Sequence, residues 1–362
     1  MVLKNSSKVK SIGVVGMGSF GTAIANILAE KSKVIAYVRR AEVLDEINLH
    51  HTVDGVSIHP EIIGTQDPEM LCKSCDTIFF MIPSSAFQEV IRLFSPHLYP
   101  YHLVIHGTKG LCLNLPKGKT LSDIGKISRE NILTMSEVIL KETVVVRVGC
   151  LAGPNLAKEL YQGQPAATVV ASKYNEVILE GQRLLRTDKF QVYGNSDIVG
   201  VELSGVLKNI IAIAGGALAG MGLGENAKGL LISRGMVELI YLGNALGGSL
   251  KSFIGLAGIG DLVATCNSTL SRNFTVGYRL AQGESLDQIM NTMEEVAEGV
   301  NTVKLMKTFI EGKGMRAPIT ENLYKVLFED LKIEEALQYL MLHIASISDG
   351  AVMAQRRSII PV

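Results

Sequence analysis

The sequence has no tryptophan, only five cysteines and no excess of charge of either sign. Its 35 basic side chains are matched by 35 acidic ones, so the formal net charge is zero. A large nucleic-acid footprint needs clustered positive charge, and this balance argues against one; a local basic site for a small anion stays open. The cysteines, at 72, 75, 112, 150 and 266, are odd in number and follow no framework spacing, which suits free thiols in a reducing, cytoplasmic setting. Cys72 and Cys75 form a CxxC, but a zinc site needs a second pair at a suitable spacing, and none exists. The pair reads as two incidental thiols near a helix end, and no metal site is expected. The polar start, 1–10, lacks the apolar run of a signal peptide. The most apolar stretch, 209–224, is too short for a membrane span and lies between Lys208 and Glu225, so a buried core helix is expected.

What is present is apolar mass: 47% hydrophobic residues in a chain of 362, enough for two domains with sizeable cores. Short β-branched runs at 11–15, 34–38, 77–82, 102–106, 144–150, 167–171 and 190–193 alternate with amphipathic segments. Several are apolar throughout, as strands of a parallel sheet covered on both faces are. The alternation predicts a doubly wound α/β sheet. Gly194, Asn195, Ser196 and Asp197 form a turn-and-cap cluster, after which strand signals vanish and helical periodicity runs on. The expected organisation is an α/β domain over 1–194, an all-α domain over 195–346 and a loose tail over 347–362.

Residues Gly16-Met17-Gly18-Ser19-Phe20-Gly21 read GxGxxG between the first strand and a helical pattern. That context makes the motif a Rossmann-like dinucleotide site. Gly16 turns the chain, Gly18 admits the pyrophosphate, Gly21 lets the helix pack, and free N–H groups at the helix start face the phosphates. Where an acidic residue would bind the ribose of NAD, the chain has Arg39 and Arg40. Arginine suits the 2′-phosphate of NADP, so NADPH is expected to serve at least as well as NADH. The plainer reading is a solvated basic pair.

Ligands of an open α/β sheet gather beyond the carboxyl ends of its strands. There the sequence places Pro83-Ser84-Ser85, then Gly107-Thr108-Lys109-Gly110, then Gly153-Pro154-Asn155. A lysine between two glycines can meet an anion or a developing alkoxide, though Lys109 could equally decorate a surface turn. Lys208 says more, because it lies inside an apolar helical run. Burial lowers a lysine's pKa toward neutrality, which is what proton transfer to or from an alcohol requires; the alternative is a lysine snorkelling to the surface. Asp261 follows a glycine-rich turn, with Thr265 beyond it. Ser271, Arg272 and Asn273 line up three donors suited to a phosphate, unless Ser271 is merely a helix cap.

The segments GMGSFGTA (16–23), GTKGL (107–111), AGPNLAKEL (152–160), GVELSGVLKNIIAIAGG (200–216), NAKGLLISRGMVEL (226–239), GLAGIGDLVATC (255–266), LSRNFTVG (270–277) and VAEGVNT (296–302) closely resemble the NAD(P)-dependent glycerol-3-phosphate dehydrogenases of the bacterial type, over nearly the whole chain. The resemblance implies reversible reduction of dihydroxyacetone phosphate to sn-glycerol 3-phosphate with NADH or NADPH, feeding glycerophospholipid synthesis, in a homodimer. It implies Lys208 as the proton-transfer group and Lys109 as a contact to substrate and cofactor. Gly153 and Asn155 would line the substrate, and Asp261 would bind its hydroxyls or orient Lys208. Ser271, Arg272 and Asn273 would hold its phosphate end. Ser19, Phe20, Ala157, Arg272, Val296 and Glu298 would complete the dinucleotide site. Asn155 and Leu156 depart from the usual Ser or Thr followed by Phe, and the stretch 112–144 is longer than usual and reads as a surface insertion. A related β-hydroxyacid dehydrogenase would lack the GLAGIGDL and LSRN blocks, and a non-catalytic dinucleotide sensor would have no use for Lys109, Lys208 and Asp261 together.

Overall fold

The computed structural model describes residues 10–115, 118–293 and 297–343. Eight strands form one sheet: β1 Ser11–Val15, β2 Val34–Tyr37, β3 Ile62–Thr65, β4 Cys75–Phe80, β5 Leu103–His106, β6 Arg147–Ala152, β7 Ala166–Ser172 and β8 Phe190–Asn195. Their spatial order is β8-β7-β6-β5-β4-β1-β2-β3. Neighbours run parallel, Val14 pairing with Ala36 on one side and Phe79 on the other, except that β6 and β7 are antiparallel. Consecutive residues serve opposite faces: Val14, Phe79 and Ile105 enter one core, Val15, Ile78, Phe80 and Val104 the other. Burial on both faces explains runs without polar alternation.

The chain leaves β1 toward β2 and β3 on one side, then returns to build β4, β5 and β6 on the other. The carboxyl ends of β1, β4, β5 and β6 therefore meet at the point where strand order reverses, which gathers the glycine loop and the three candidate loops at one edge.

The expected strands are present, with ends displaced by a few residues. β3 is an addition: at four residues, with Gly64 inside it and at the sheet's edge, it carries little pattern to read. The antiparallel β6–β7 step is a second departure, since local sequence reads the same in either direction. Cys72 and Cys75 pack into the sheet's core, and burial pushes both thiols up to about 12. They act as apolar filler.

Beyond Asn195, Asp197 caps the central helix Ile198–Gly220, its Oδ1 accepting from the Gly200 N–H at 2.9 Å. The stretch expected to be too short for a membrane is the second half of this 23-residue helix, which is long and apolar enough to cross one. It is instead a core helix, with 89% of its apolar window buried inside the protein. The helices Glu225–Ala245, Arg272–Ala281 and Glu298–Lys313 pack around it. The expected tail, 347–362, lies outside the described residues.

The stretch 112–144 is not a surface insertion. Leu111–Leu113 pairs with Ile132–Thr134, and Ile127 and Ile132 enter the core of the helical half. Arg129 clasps the same half, its Nε donating to the Leu246 carbonyl at 2.6 Å while the guanidinium pairs with Glu137. The segment is a strap between the halves: Ile127 and Ile132 are buried in the helical core, while Met135, Val138 and Ile139 are buried in a core of the sheet.

The helices Ile198–Gly220 and Arg272–Ala281 touch backbone to backbone. A Cβ on Gly277 would meet the Ile213 carbonyl oxygen at 1.8 Å, and one on Gly216 the Phe274 carbonyl oxygen at 1.9 Å. Gly277→Ala should therefore lower stability by about 1–3 kcal/mol, the usual effect of overpacking a tight core contact. Urea unfolding measures this; an unchanged midpoint would show that the crossing is not tight.

Candidate active site

The glycine loop is built for a phosphate. Gly16 has φ +98°, and a Cβ there would strike the Met81 carbonyl. A Cβ on Gly21 would lie 2.0 Å from the Gly16 oxygen, so the third glycine closes the helix onto the loop itself as much as onto the strand. Gly18 faces open space. It is the N-cap of the helix Ser19–Ala29, whose first turn carries no acidic residue. The loop thus presents open space and the positive end of a helix dipole, a setting that suits an anion. The short helix Ala157–Tyr161 packs against this region, the Tyr161 hydroxyl donating to the Ser19 carbonyl. Arg39 and Arg40 follow β2; Arg40 lies 3.8 Å from Asp54, and the Arg39 carbonyl accepts from Gln66 at 2.8 Å.

Beyond β5, β6 and the central helix lies a buried charge cluster. Asp261 stands where the turn Leu256–Gly260 passes into the helix Asp261–Cys266. Lys208 Nζ lies 2.8 Å from its Oδ1, and Lys109 Nζ lies 2.7 Å from its Oδ2. Lys109 also donates to the Gly153 carbonyl at 3.4 Å. Lys208 donates to Thr265 Oγ1, and that hydroxyl donates to the Asp261 carbonyl. Lys208 and Asp261 are each about 4% exposed in their side chains, whereas Lys109 is 27% exposed and forms the open side of the cluster.

Burial pulls the Lys208 pKa down, the Asp261 charge pushes it back and Lys109 pulls it down again, with the result about 8. Burial alone would raise Asp261, yet the two ammonium groups hold it below the ordinary carboxylate range. A lysine that titrates near neutrality and is held by an ionised carboxylate is equipped to give or take a proton.

Lys109, Gly153, Lys208 and Asp261 are therefore brought together. The other expected residues stand around them. Ser271 caps the helix Arg272–Ala281, accepting from Phe274 N at 3.3 Å, as its plainer reading had it. Arg272 is exposed at the head of that helix, with its charge close enough to act on Glu298. Asn273 Oδ1 accepts from Gly299 N at 2.9 Å. Glu298 accepts from Ser84 N at 3.0 Å and from the Ser84 hydroxyl, tying the loop after β4 to the helical half. Burial raises its pKa against these bonds. The Asn155 amide joins the β6–β7 connection: oriented to satisfy both ends, it donates to the carbonyls of Ala167 and Pro154 and accepts from Thr168 Oγ1 at 2.8 Å. Phe20 is half-buried beside Gly107. Val296 lies outside the described residues.

A buried pair that the sequence reading passed over stands behind Lys109: His106 Nε2 lies 3.1 Å from Glu202 Oε1. The signal was the one used for Lys208, an ionisable residue inside an apolar helical run.

Models of the NAD-dependent glycerol-3-phosphate dehydrogenase N-terminus and C-terminus match residues 11–178 and 197–338. The chain is 39% identical over 335 residues to the glycerol-3-phosphate dehydrogenase [NAD(P)+] of Staphylococcus aureus, covering 91% of this chain and 97% of that one. Among solved structures it is similar to the glycerol-3-phosphate dehydrogenase of Coxiella burnetii, at 31% identity and TM-score 0.80, covering 92% of this chain and 98% of that one. The Saccharomyces cerevisiae enzyme shares the fold at 22% identity and TM-score 0.77, covering 91% and 98%.

Because the Asp261 charge holds the Lys208 pKa up, Asp261→Asn should move the Lys208 titration below about 8. Nuclear magnetic resonance of labelled lysines, assigned with Lys208→Arg, reads this directly. A midpoint that stays or rises would show that the carboxylate does not govern the lysine.

Proposed function

The chain belongs to the NAD-dependent glycerol-3-phosphate dehydrogenase family, and we propose that Lys208, Asp261 and Lys109 are the residues that carry its reaction, the reversible reduction of dihydroxyacetone phosphate to sn-glycerol 3-phosphate. Membership sets aside the β-hydroxyacid dehydrogenase and sensor readings. The observation that supports the assignment is the sharing of one buried carboxylate between two lysines at the carboxyl edge of the sheet.

The glycine loop fits a dinucleotide: Gly18 faces open space, and the helix behind it has no side-chain cap and no acidic residue in its first turn. Ser19, Phe20 and Gly21 would hold the NAD or NADP there, with Ala157, Arg272, Val296 and Glu298 completing the site. NAD(P)H, when bound, supplies the hydride. The protein supplies position and protons. Lys208 gives its proton to the carbonyl oxygen in reduction and recovers it in the reverse direction; with a pKa of about 8 it can do both near neutral pH. Asp261 orients both ammonium groups. Lys109, held on Asp261 and the Gly153 carbonyl, stabilises negative charge developing at that oxygen. Arg272, exposed at the start of its helix, takes the substrate's phosphate with Ser271 and Asn273 lining it. The bonds of Ser271, Asn273 and Asn155 within the protein make shaping the pocket their first role.

Arg40 is paired with Asp54, whereas Arg39 makes no ion pair among the described residues, so Arg39 takes the 2′-phosphate of NADP. We assign 1–194 to the dinucleotide and 195–346 to substrate and catalysis. The exposed Leu230, Val237, Leu250 and Ile254 support pairing of two copies through the helical half. The product is a precursor for glycerophospholipids, and the free cysteines suit a cytoplasmic site of action.

Lys208→Ala should lower kcat for dihydroxyacetone phosphate reduction by about 10²–10⁴-fold while NAD(P)H binding, followed by fluorescence, persists. A variant with near-normal turnover would remove Lys208 from its role. Arg39→Asp should raise the KM for NADPH about tenfold or more and leave that for NADH little changed, as expected for loss of a charge-assisted bond. Equal effects on both cofactors would exclude a 2′-phosphate contact.

A further inference from the structure

Glu202, on the central helix, and His106, at the end of β5, are both buried behind the lysine cluster. One end of each is engaged. His106 Nε2 lies 3.1 Å from Glu202 Oε1 and 3.0 Å from Ser136 Oγ, and Ser136 N donates to Glu202 Oε1 at 3.0 Å. The other ends, His106 Nδ1 and Glu202 Oε2, are buried and find no partner among the described residues. Beside them lies a cavity of about 10 Å³, lined by His106, Thr108, Lys109, Cys150, Glu202 and Gly205. A buried carboxylate oxygen without a partner is costly, and a cavity of about one water's size with several polar side chains in its wall is where such an atom is satisfied.

We propose that Glu202 and His106 are positioning residues for this reaction: they hold one water between Glu202 Oε2, His106 Nδ1 and the Lys109 loop, and the charge of Glu202 helps keep the two-lysine cluster cationic. The inference rests on the roles given above to Lys208 and Lys109. Burial works against an ionised Glu202, but His106 and the bonds from Ser136 outweigh it and hold the carboxyl below its usual range. The groups that face Glu202 are His106 from β5, the Ser136 N–H from the helix Met135–Glu142, Cys150 from β6 and Lys109 across the cavity. Those that face Lys208 are Asp261, Lys109 and Cys266.

Removing a nearby negative charge disfavours an ammonium. In Glu202→Gln, the alkaline limb of kcat/KM for dihydroxyacetone phosphate reduction should move to lower pH by about half a unit or more. NAD(P)H affinity should be unchanged, and Glu202→Asp should restore part of the shift. A merely structural role would lower the rate equally at all pH; that result, or an unmoved limb, overturns the electrostatic part. A high-resolution crystal structure of the wild type tests the rest, even if the variants do not fold. It should show an ordered water within hydrogen-bond distance of Glu202 Oε2 and His106 Nδ1, and a dry cavity overturns it. Wild-type enzyme inactive on dihydroxyacetone phosphate would instead sink the underlying reading of the lysines, while the crystal still decides the water.

Discussion

The structure is organised around one buried carboxylate. Asp261 is removed from water, and an ionised carboxyl there is tolerable only with close compensation. It has two compensating ammonium groups from different halves of the chain, Lys208 on the central helix and Lys109 on the loop beyond β5. Neither half could host the cluster alone. Removing Asp261 would leave two like charges facing each other, and removing a lysine would weaken what keeps Asp261 ionised. The three together carry one net positive charge, and Lys109 turns it toward solvent, where an anionic substrate would arrive.

The sheet and helices can be understood as the means of holding that contact. The reversal of strand order puts the loops after β1, β4, β5 and β6 on one edge. Asp197 starts the central helix against that edge, so Lys208 lies over the loops. The turn Leu256–Gly260 then aims Asp261 into the gap. The strap through Arg129 and the bond from Ser84 to Glu298 hold the halves at that spacing from two further points. Buried apolar area supplies the stability, and these few polar links supply the register.

Much of this was legible in the sequence, and the boundary is physical. Parallel strands are visible because burial on both faces removes polar alternation, so β1, β4 and β5 stand out. The direction of β7 was invisible, since nothing in a strand's own residues records which way its neighbour runs. β3, with Gly64 inside it and at the sheet's edge, carried little pattern to read. Lys208 stood out because a charge inside an apolar helix demands a reason; Glu202 carried the same signal and was overlooked. The partners of such groups were not readable at all. That Asp261 touches both lysines and that Asn273 serves Gly299 are contacts between residues far apart in sequence, which periodicity cannot encode.

The cluster also shows how a useful pKa arises from opposed large effects. Burial pulls the pKa of Lys208 down, and it is the largest single influence on that group. Asp261, 2.8 Å away, pushes it back up. Lys109 on the second carboxylate oxygen opposes that restoration, and the result is about 8. The tension between burial and the acidic neighbour, which the sequence alone could not resolve, therefore ends with burial ahead and Lys109 acting on its side. Lys109 acts on Lys208 through the same carboxylate that positions it, so in the proposed reaction substrate contact and acid strength are coupled through one group. A bound anion facing Lys109 would offset its positive charge and raise the pKa of Lys208, which in the proposed reaction keeps that lysine protonated for its role as acid.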